Sequence, residues 1–185
     1  MRRGLFAIAL VVLIGAVHPP AGAVEILERD FQVARPDYQL RVVARIEAPR
    51  EAVWAVLTDY ERLSELSPGL LESRIVPDGA GETVLVATVT EGCLILICRR
   101  VRRVEAMEEE PPERIRARIL PEHSDLRRGV TEWLLEADGE ATRITVDSHI
   151  RPDFWVPPGI GPRHMQRTFL SDLTELMEQV ERIAQ

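Results

Sequence analysis

Apolar and polar residues alternate with a period of two along several parts of the chain. In YQLRVVARIE, Tyr38, Leu40, Val42, Ala44 and Ile46 share one side, and Arg41 and Arg45 take the other. In ERIRARIL, Ile115, Ala117 and Ile119 alternate with Arg114, Arg116 and Arg118. GVTEWLLEA sets Thr131, Trp133, Leu135 and Ala137 against Glu132 and Glu136, and TRITVDSHI collects Ile144, Val146, Ser148 and Ile150. Each pattern predicts a strand with one apolar and one solvated face, as in an antiparallel sheet. Asp138-Gly139 between the last two is a hairpin signal.

Two stretches carry the helical period instead. In APREAVWAVLTDYERLSEL, Pro49 suits a first helical turn, and Val53, Trp54, Val56, Leu57 and Tyr60 form an apolar side that ends at Ser67-Pro68-Gly69. After Gly161-Pro162, Met165, Phe169, Leu173, Leu176, Val180 and Ile183 recur at steps of four and three, one stripe over about five turns. The intervening RPDFWVPPGIGP is too rich in Pro and Gly for regular structure. Strand, helix, several strands and a long helix make one α+β domain.

The first residues change the picture of where this domain works. Arg2 and Arg3 precede an apolar run from Leu5 to Val17, then Pro19-Pro20 and Ala21-Gly22-Ala23. This is the order of a secretory signal peptide with a small-x-small cleavage site. The run is shorter than the roughly 20 residues that span a bilayer. The expectation is a signal peptide at 1–23, a lead segment at 24–36, a domain at 37–185, and a periplasmic protein. Without Arg2 and Arg3 the formal charge of -7 becomes about -9. An acidic chain argues against nucleic acid as a partner and against electrostatic docking on anionic lipid. Every basic residue is Arg, which we ascribe to codon composition.

The strand at 38–47, then P-x-x-x-V-W-x-V-L-x-D-Y from Pro49, L-S-P from Leu66 and LLESRIV from Leu70 resemble the START-like superfamily. That superfamily includes the polyketide cyclase/dehydrase and coenzyme Q-binding families, and the resemblance spans about Asp37 to Ile183. It implies a helix-grip fold, a curved antiparallel sheet wrapped around the C-terminal helix, with an apolar cavity between them. Members mostly bind lipids, quinones, polyketides or other apolar molecules there.

On that fold, the expected ligand-binding wall is Ile115, Ala117, Trp133, Leu135, Ile144 and Val146 of the sheet facing Met165, Phe169 and Leu173 of the helix. Thr131 and Ser148 would supply polar groups, and Phe154 and Trp155 a lip before Pro157-Pro158. No catalytic residue, cofactor or metal is assigned. No second His or Cys stands at a ligand spacing from His123, His149 or His164. His123-Ser124-Asp125 has triad residue types, but adjacent loop residues point apart. Glu108 to Glu113 reads as a solvated acidic turn, and Arg99, Arg100, Arg102 and Arg103 as a solvated strand face paired with Glu. Asp59-Tyr60 reads as a helix-end packing feature. Two functions stay open: a carrier for an apolar molecule, which the lack of a titratable group at these inward positions favours, and a cyclase or dehydratase-type enzyme, which a carboxylate or histidine buried in the cavity would favour instead. For the enzyme, Asp153 or His164 would have to reach inside.

The only two cysteines flank four aliphatics in EGCLILICRR. In one straight strand, five steps of about 3.3 Å would hold Cys93 and Cys98 roughly 16 Å apart, too far for a disulfide. A hairpin with Leu94, Ile95, Leu96 and Ile97 as its loop would set them face to face. An exported compartment favours the bonded hairpin, with LILI as an exposed tip for transient membrane contact. Two buried thiols in a core strand are the alternative.

Overall fold

The computed structural model describes residues 24–77, 83–94, 97–158 and 160–185. The expected signal peptide, and Ile95 and Leu96 of the expected tip, lie outside these residues. Eight antiparallel strands form one sheet: β1 (Glu25–Ala34), β2 (Asp37–Ile46), β3 (Leu70–Val76), β4 (Val84–Leu94), β5 (Ile97–Glu110), β6 (Arg114–Ile119), β7 (Leu126–Asp138) and β8 (Ala141–Pro152). Their spatial order is β1-β2-β8-β7-β6-β5-β4-β3. Two helices, α1 (Arg50–Leu57) and α2 (Ile160–Ala184), complete the helix-grip arrangement, with α2 on the inner face of the curved sheet.

The period-two sides meet as the alternation requires. Across the ladders Leu40 faces Ser148, Val42 faces Val146, Ala44 faces Ile144, and Trp133 stands between Ile115 and Val146. Gly139 has φ 67°, the left-handed conformation that its hairpin turn needs. The inner face packs with Val53 and Leu57 of α1 and Leu173, Met177 and Val180 of α2 into one core. Each fully buried large side chain there stabilises the fold by roughly 1.5–3 kcal/mol. The end of α2 is fastened to the end of β2: Glu181 Oε2 accepts from the Glu47 N–H at 2.8 Å, and Gln185 Nε2 donates to the Glu47 carbonyl at 3.2 Å.

Three elements depart from the sequence pattern. The expected lead segment carries β1, an edge strand paired with β2 in register from Glu25–Arg45 to Ala34–Asp37. The first helix stops at Leu57, and the Thr58 N–H and hydroxyl both bond the Trp54 carbonyl there, at 3.0 and 2.9 Å. Tyr60 is then free to turn inward, where its O–H donates to Glu109 Oε1 at 2.6 Å. The last helix begins at Ile160, so Gly161 and Pro162 belong to its first turn, where the missing N–H of proline costs nothing.

Because every neighbour is antiparallel, the sheet has two distinct ends. The β4–β5 hairpin, the end of β8 and the start of α2 share one of them. The β5–β6 and β7–β8 turns and the end of α2 share the other.

Candidate functional site

Burial along the seam between sheet and α2 is graded. Leu135, Ile144, Val146, Leu173, Met177 and Val180 are buried at the end near the β7–β8 turn. Thr131, Trp133, Ser148, Met165 and Phe169 are only half-buried toward the opposite end. Ile115 and Ala117 are buried beside them on β6. An amphipathic helix laid on a curved sheet closes tightly at one end and diverges at the other. The expected wall residues therefore come to one seam, the deeper ones in the core and the others along its open part. Phe169 stacks edge-on against Phe31 of β1, with ring centroids 6.5 Å apart. The hydroxyls of Thr131 and Ser148 lie 2.9 Å apart and satisfy each other.

The lip residues divide. Phe154 lies under the guanidinium of Arg99, 4.2 Å from its ring centroid. Trp155 is 78 % exposed and points into solvent, so it does not line the seam. The Pro-rich chain turns outward there before Gly161, whose N–H bonds the Pro157 carbonyl at 3.0 Å.

The structure corrects the reading of the arginine cluster. Arg100 and Arg102 do stand on the outer side, paired with Glu91 at 3.1 Å and Asp125 at 3.4 Å. Arg99 and Arg103 have the other parity. Arg103 is opposite Thr88 on β4, and Glu105 opposite Val86 on β4 and Ile119 on β6, all on the inner face. Thr88 is 4 % exposed and Glu105 8 %. The Thr88 Oγ1 and the Arg103 Nε are buried without a hydrogen-bond partner. The inward face thus carries a polar strip that alternation did not predict. Glu105 is an inward carboxylate on β5, a strand whose inward side the sequence pattern had left unassigned.

A second carboxylate, half-buried, lies on the helix. Asp172 sits against Gly69, where a Cβ would come within 3.2 Å of its Oδ2. Burial, and secondarily the charge of Glu175, holds its carboxyl above the usual range. Asp153 is instead paired with Arg127 at 2.5 Å, and His164 stands 3.5 Å from the Thr168 hydroxyl on its own helix. His149 is on the outer face beside Asp37. Arg151 and then Arg128 bond the Asp37 carboxylate and hold it well below the ordinary range. The groups His123, Ser124 and Asp125 serve local structure: Ser124 Oγ accepts from the Val104 N–H and Asp125 from the Arg102 N–H, each at 2.9 Å. Among the described residues no cluster of His, Cys, Asp and Glu is placed to hold a metal ion.

Cys93 and Cys98 are disulfide-bonded across the neck of the β4–β5 hairpin, with Cα atoms 3.9 Å apart. Leu94 and Ile97 still pair beyond them, so the loop is shorter than the four residues expected. On the outer face of the sheet a shallow depression of about 370 Å³ is bordered by Arg41, Glu132, Asp147 and His149. It is charged and open to water, unlike a wall for an apolar molecule.

A comparison with curated protein sequences finds no match. Solved structures show the same fold. TTHA0849 from Thermus thermophilus has 20% identity and a TM-score of 0.65, covering 79% of this chain and 96% of that one. The Zhui aromatase/cyclase from a Streptomyces species has 17% identity and a TM-score of 0.63, over 79% and 94%. The STAR-related lipid transfer protein from Xanthomonas axonopodis has 16% identity and a TM-score of 0.61, over 85% and 98%. Residues 38–185 match the family described as polyketide cyclase / dehydrase and lipid transport, and the chain belongs to that family.

Proposed function

We propose that the protein is an exported binding or carrier protein for a hydrophobic small molecule with a small, neutral polar head. The apolar body would lie along Trp133, Ile115, Ala117, Met165 and Phe169, and the head at Thr88, Arg103 and Glu105. The observation that carries this reading is the inward polar strip, two of whose buried atoms have no partner in the protein. A bound oxygen would accept from Arg103, and a bound O–H would donate to Glu105. One cation and one carboxylate leave the strip formally neutral, and the Glu105 carboxylate offsets the attraction of Arg103 for an anion. An anionic head would be disfavoured there, because like charges repel strongly in a low-dielectric site. The family's lipid-transport members, and the lipid transfer protein among the structural neighbours, support the carrier class.

The same carboxylates favour one other reading. Asp172, whose carboxyl is held above the usual range by burial, is the type of group a cyclase or dehydratase uses as a general acid, and an aromatase/cyclase stands among the structural neighbours.

Native mass spectrometry of protein purified from its own host tests both. The expected result is an adduct of an apolar, hydroxyl-bearing compound that is weakened by Arg103→Met and recovered unchanged. Recovery of a chemically altered compound would select the enzyme, and a protein with no extractable ligand would overturn both readings. The intact mass in the same spectrum tests export, with Val24 as the expected first residue. The hairpin tip from Leu94 to Ile97 would make the transient membrane contact of a carrier.

A further inference from the structure

We infer that the end of the molecule bearing Trp155 is a docking face for an anionic lipid bilayer. The inference concerns the outer surface and stands whether the seam holds a ligand to be carried or one to be converted. It begins with charge. The chain is acidic overall, at -7, and most charges at either end are paired: Glu110, Glu113 and Asp138 with Arg114, Arg50 and Arg45 at one, and Glu91, Asp125 and Asp153 with Arg100, Arg102 and Arg127 at the other, where further arginines are left over. The end with the β5–β6 and β7–β8 turns carries Glu110, Glu113, Asp138 and Glu140. The opposite end carries Arg99 and Arg100 on the hairpin neck and Arg163 and Arg167 on the first two turns of α2, all four exposed. Among the described residues, no carboxylate is in salt-bridge contact with Arg99, Arg163 or Arg167. A net acidic protein with cations gathered at one end presents that end to a negative surface, because its opposite end is repelled.

Geometry then makes the basic end a single face. The Arg99 guanidinium over Phe154 joins the hairpin neck to the Pro-rich loop. The Gly161 N–H bonded to Pro157 joins that loop to the start of α2. Trp155 lies in the same loop, 78 % exposed, whereas among the described residues the other large apolar side chains with notable exposure lie on strands or at the far end of α2. An indole beside unpaired guanidinium groups suits the boundary between headgroups and acyl chains, where an aromatic ring is half solvated and Arg meets phosphate. A polar protein surface would not require the exposed indole, and a neutral bilayer would not use the cations.

Protein purified from its host, in the processed form it has there, is mixed with vesicles of phosphatidylcholine alone or with about a third phosphatidylglycerol, both containing bromolipid. Quenching of tryptophan emission is read as the difference between wild type and Trp155→Phe, which isolates Trp155 from Trp54 and Trp133. Trp155 should be quenched on the anionic vesicles at low salt and released at high salt. Each guanidinium near the surface is worth roughly fivefold in partitioning, so Arg163→Gln with Arg167→Gln should raise the lipid needed for half-binding roughly 25-fold. Both substitutions are on exposed helix positions, and a circular dichroism melt equal to wild type shows that folding is intact. Equal quenching on neutral and anionic vesicles would overturn the proposal. So would an unquenched Trp155 on both, the result expected if this face meets a protein instead.

Discussion

Replacing Thr88 with valine should make the ligand-free protein more stable and its ligand complex weaker. Thr88 lies on the inner face of β4, is 4 % exposed, and has a hydroxyl with no hydrogen-bond partner. An unsatisfied buried hydroxyl costs about 1–3 kcal/mol relative to water. Valine has the same shape, keeps the strand preference, and puts a methyl group where the hydroxyl was. The net gain should be about 2 kcal/mol, which for a domain of this size raises the melting temperature by roughly 4–8 °C. Thr142 provides the control on the same face. It is fully buried, and its hydroxyl donates to the Ala48 carbonyl at 2.7 Å. Thr142→Val removes a made bond and strands a buried carbonyl, so it should destabilise by about 1–2 kcal/mol. Both variants are melted by circular dichroism after delipidation and then titrated with the compound recovered from the host. Thr88→Val should lose roughly fivefold or more in affinity, the worth of one ordinary hydrogen bond. A ligand-free Thr88→Val protein that melts below wild type would refute the reasoning, because the hydroxyl would then already be bonded within the fold.

Three further outcomes follow from other parts of the structure. The folded-state pKa of Asp172 is raised, mainly by burial and then by Glu175, so the native protein binds that proton more tightly than the unfolded chain. Its contribution is therefore most favourable at pH below the ordinary carboxylate range and is lost as pH rises through the folded value; Asp172→Asn should stabilise at pH 7 and not at pH 3 in urea titrations. An added Cβ at Gly129 would meet Ile119 Cγ1 at 2.8 Å, so Gly129→Ala should cost about 1–3 kcal/mol and be largely rescued by Ile119→Ala, measured as a double-mutant cycle. Alkylation under denaturing, non-reducing conditions should label neither cysteine, and Cys93→Ser with Cys98→Ser should lower stability by no more than about 2 kcal/mol, since the closed loop is short.

Much of the architecture is legible along the chain, for a local reason. Side chains in a strand alternate strictly and those in a helix repeat every 3.6 residues, so an element with one apolar side reveals both its type and its buried face. That is why Ile115, Trp133, Ile144, Val146, Phe169 and Leu173 could each be assigned to the apolar side of its element, and the helix-grip resemblance implied that those sides meet in one seam. For the two cysteines, arithmetic on strand length showed only that a bond requires a hairpin, which the exported compartment favoured. Strand β5 defeats the same rule. ICRRVRRVEAMEEE has arginine at both parities and glutamate at both parities, so neither side is apolar and alternation cannot say which one turns inward. The register with β4 and β6 decides it, by setting Arg103 against Thr88 and Glu105 against Ile119. Likewise nothing in DFWVPP distinguishes a ring packed under an arginine from an exposed one; Phe154 and Trp155 are separated only by the path of the loop between β8 and α2. The apolar wall is a property of single elements, written in their periods. The polar strip and the basic end depend on which elements are neighbours, a long-range relation that the tertiary structure alone determines.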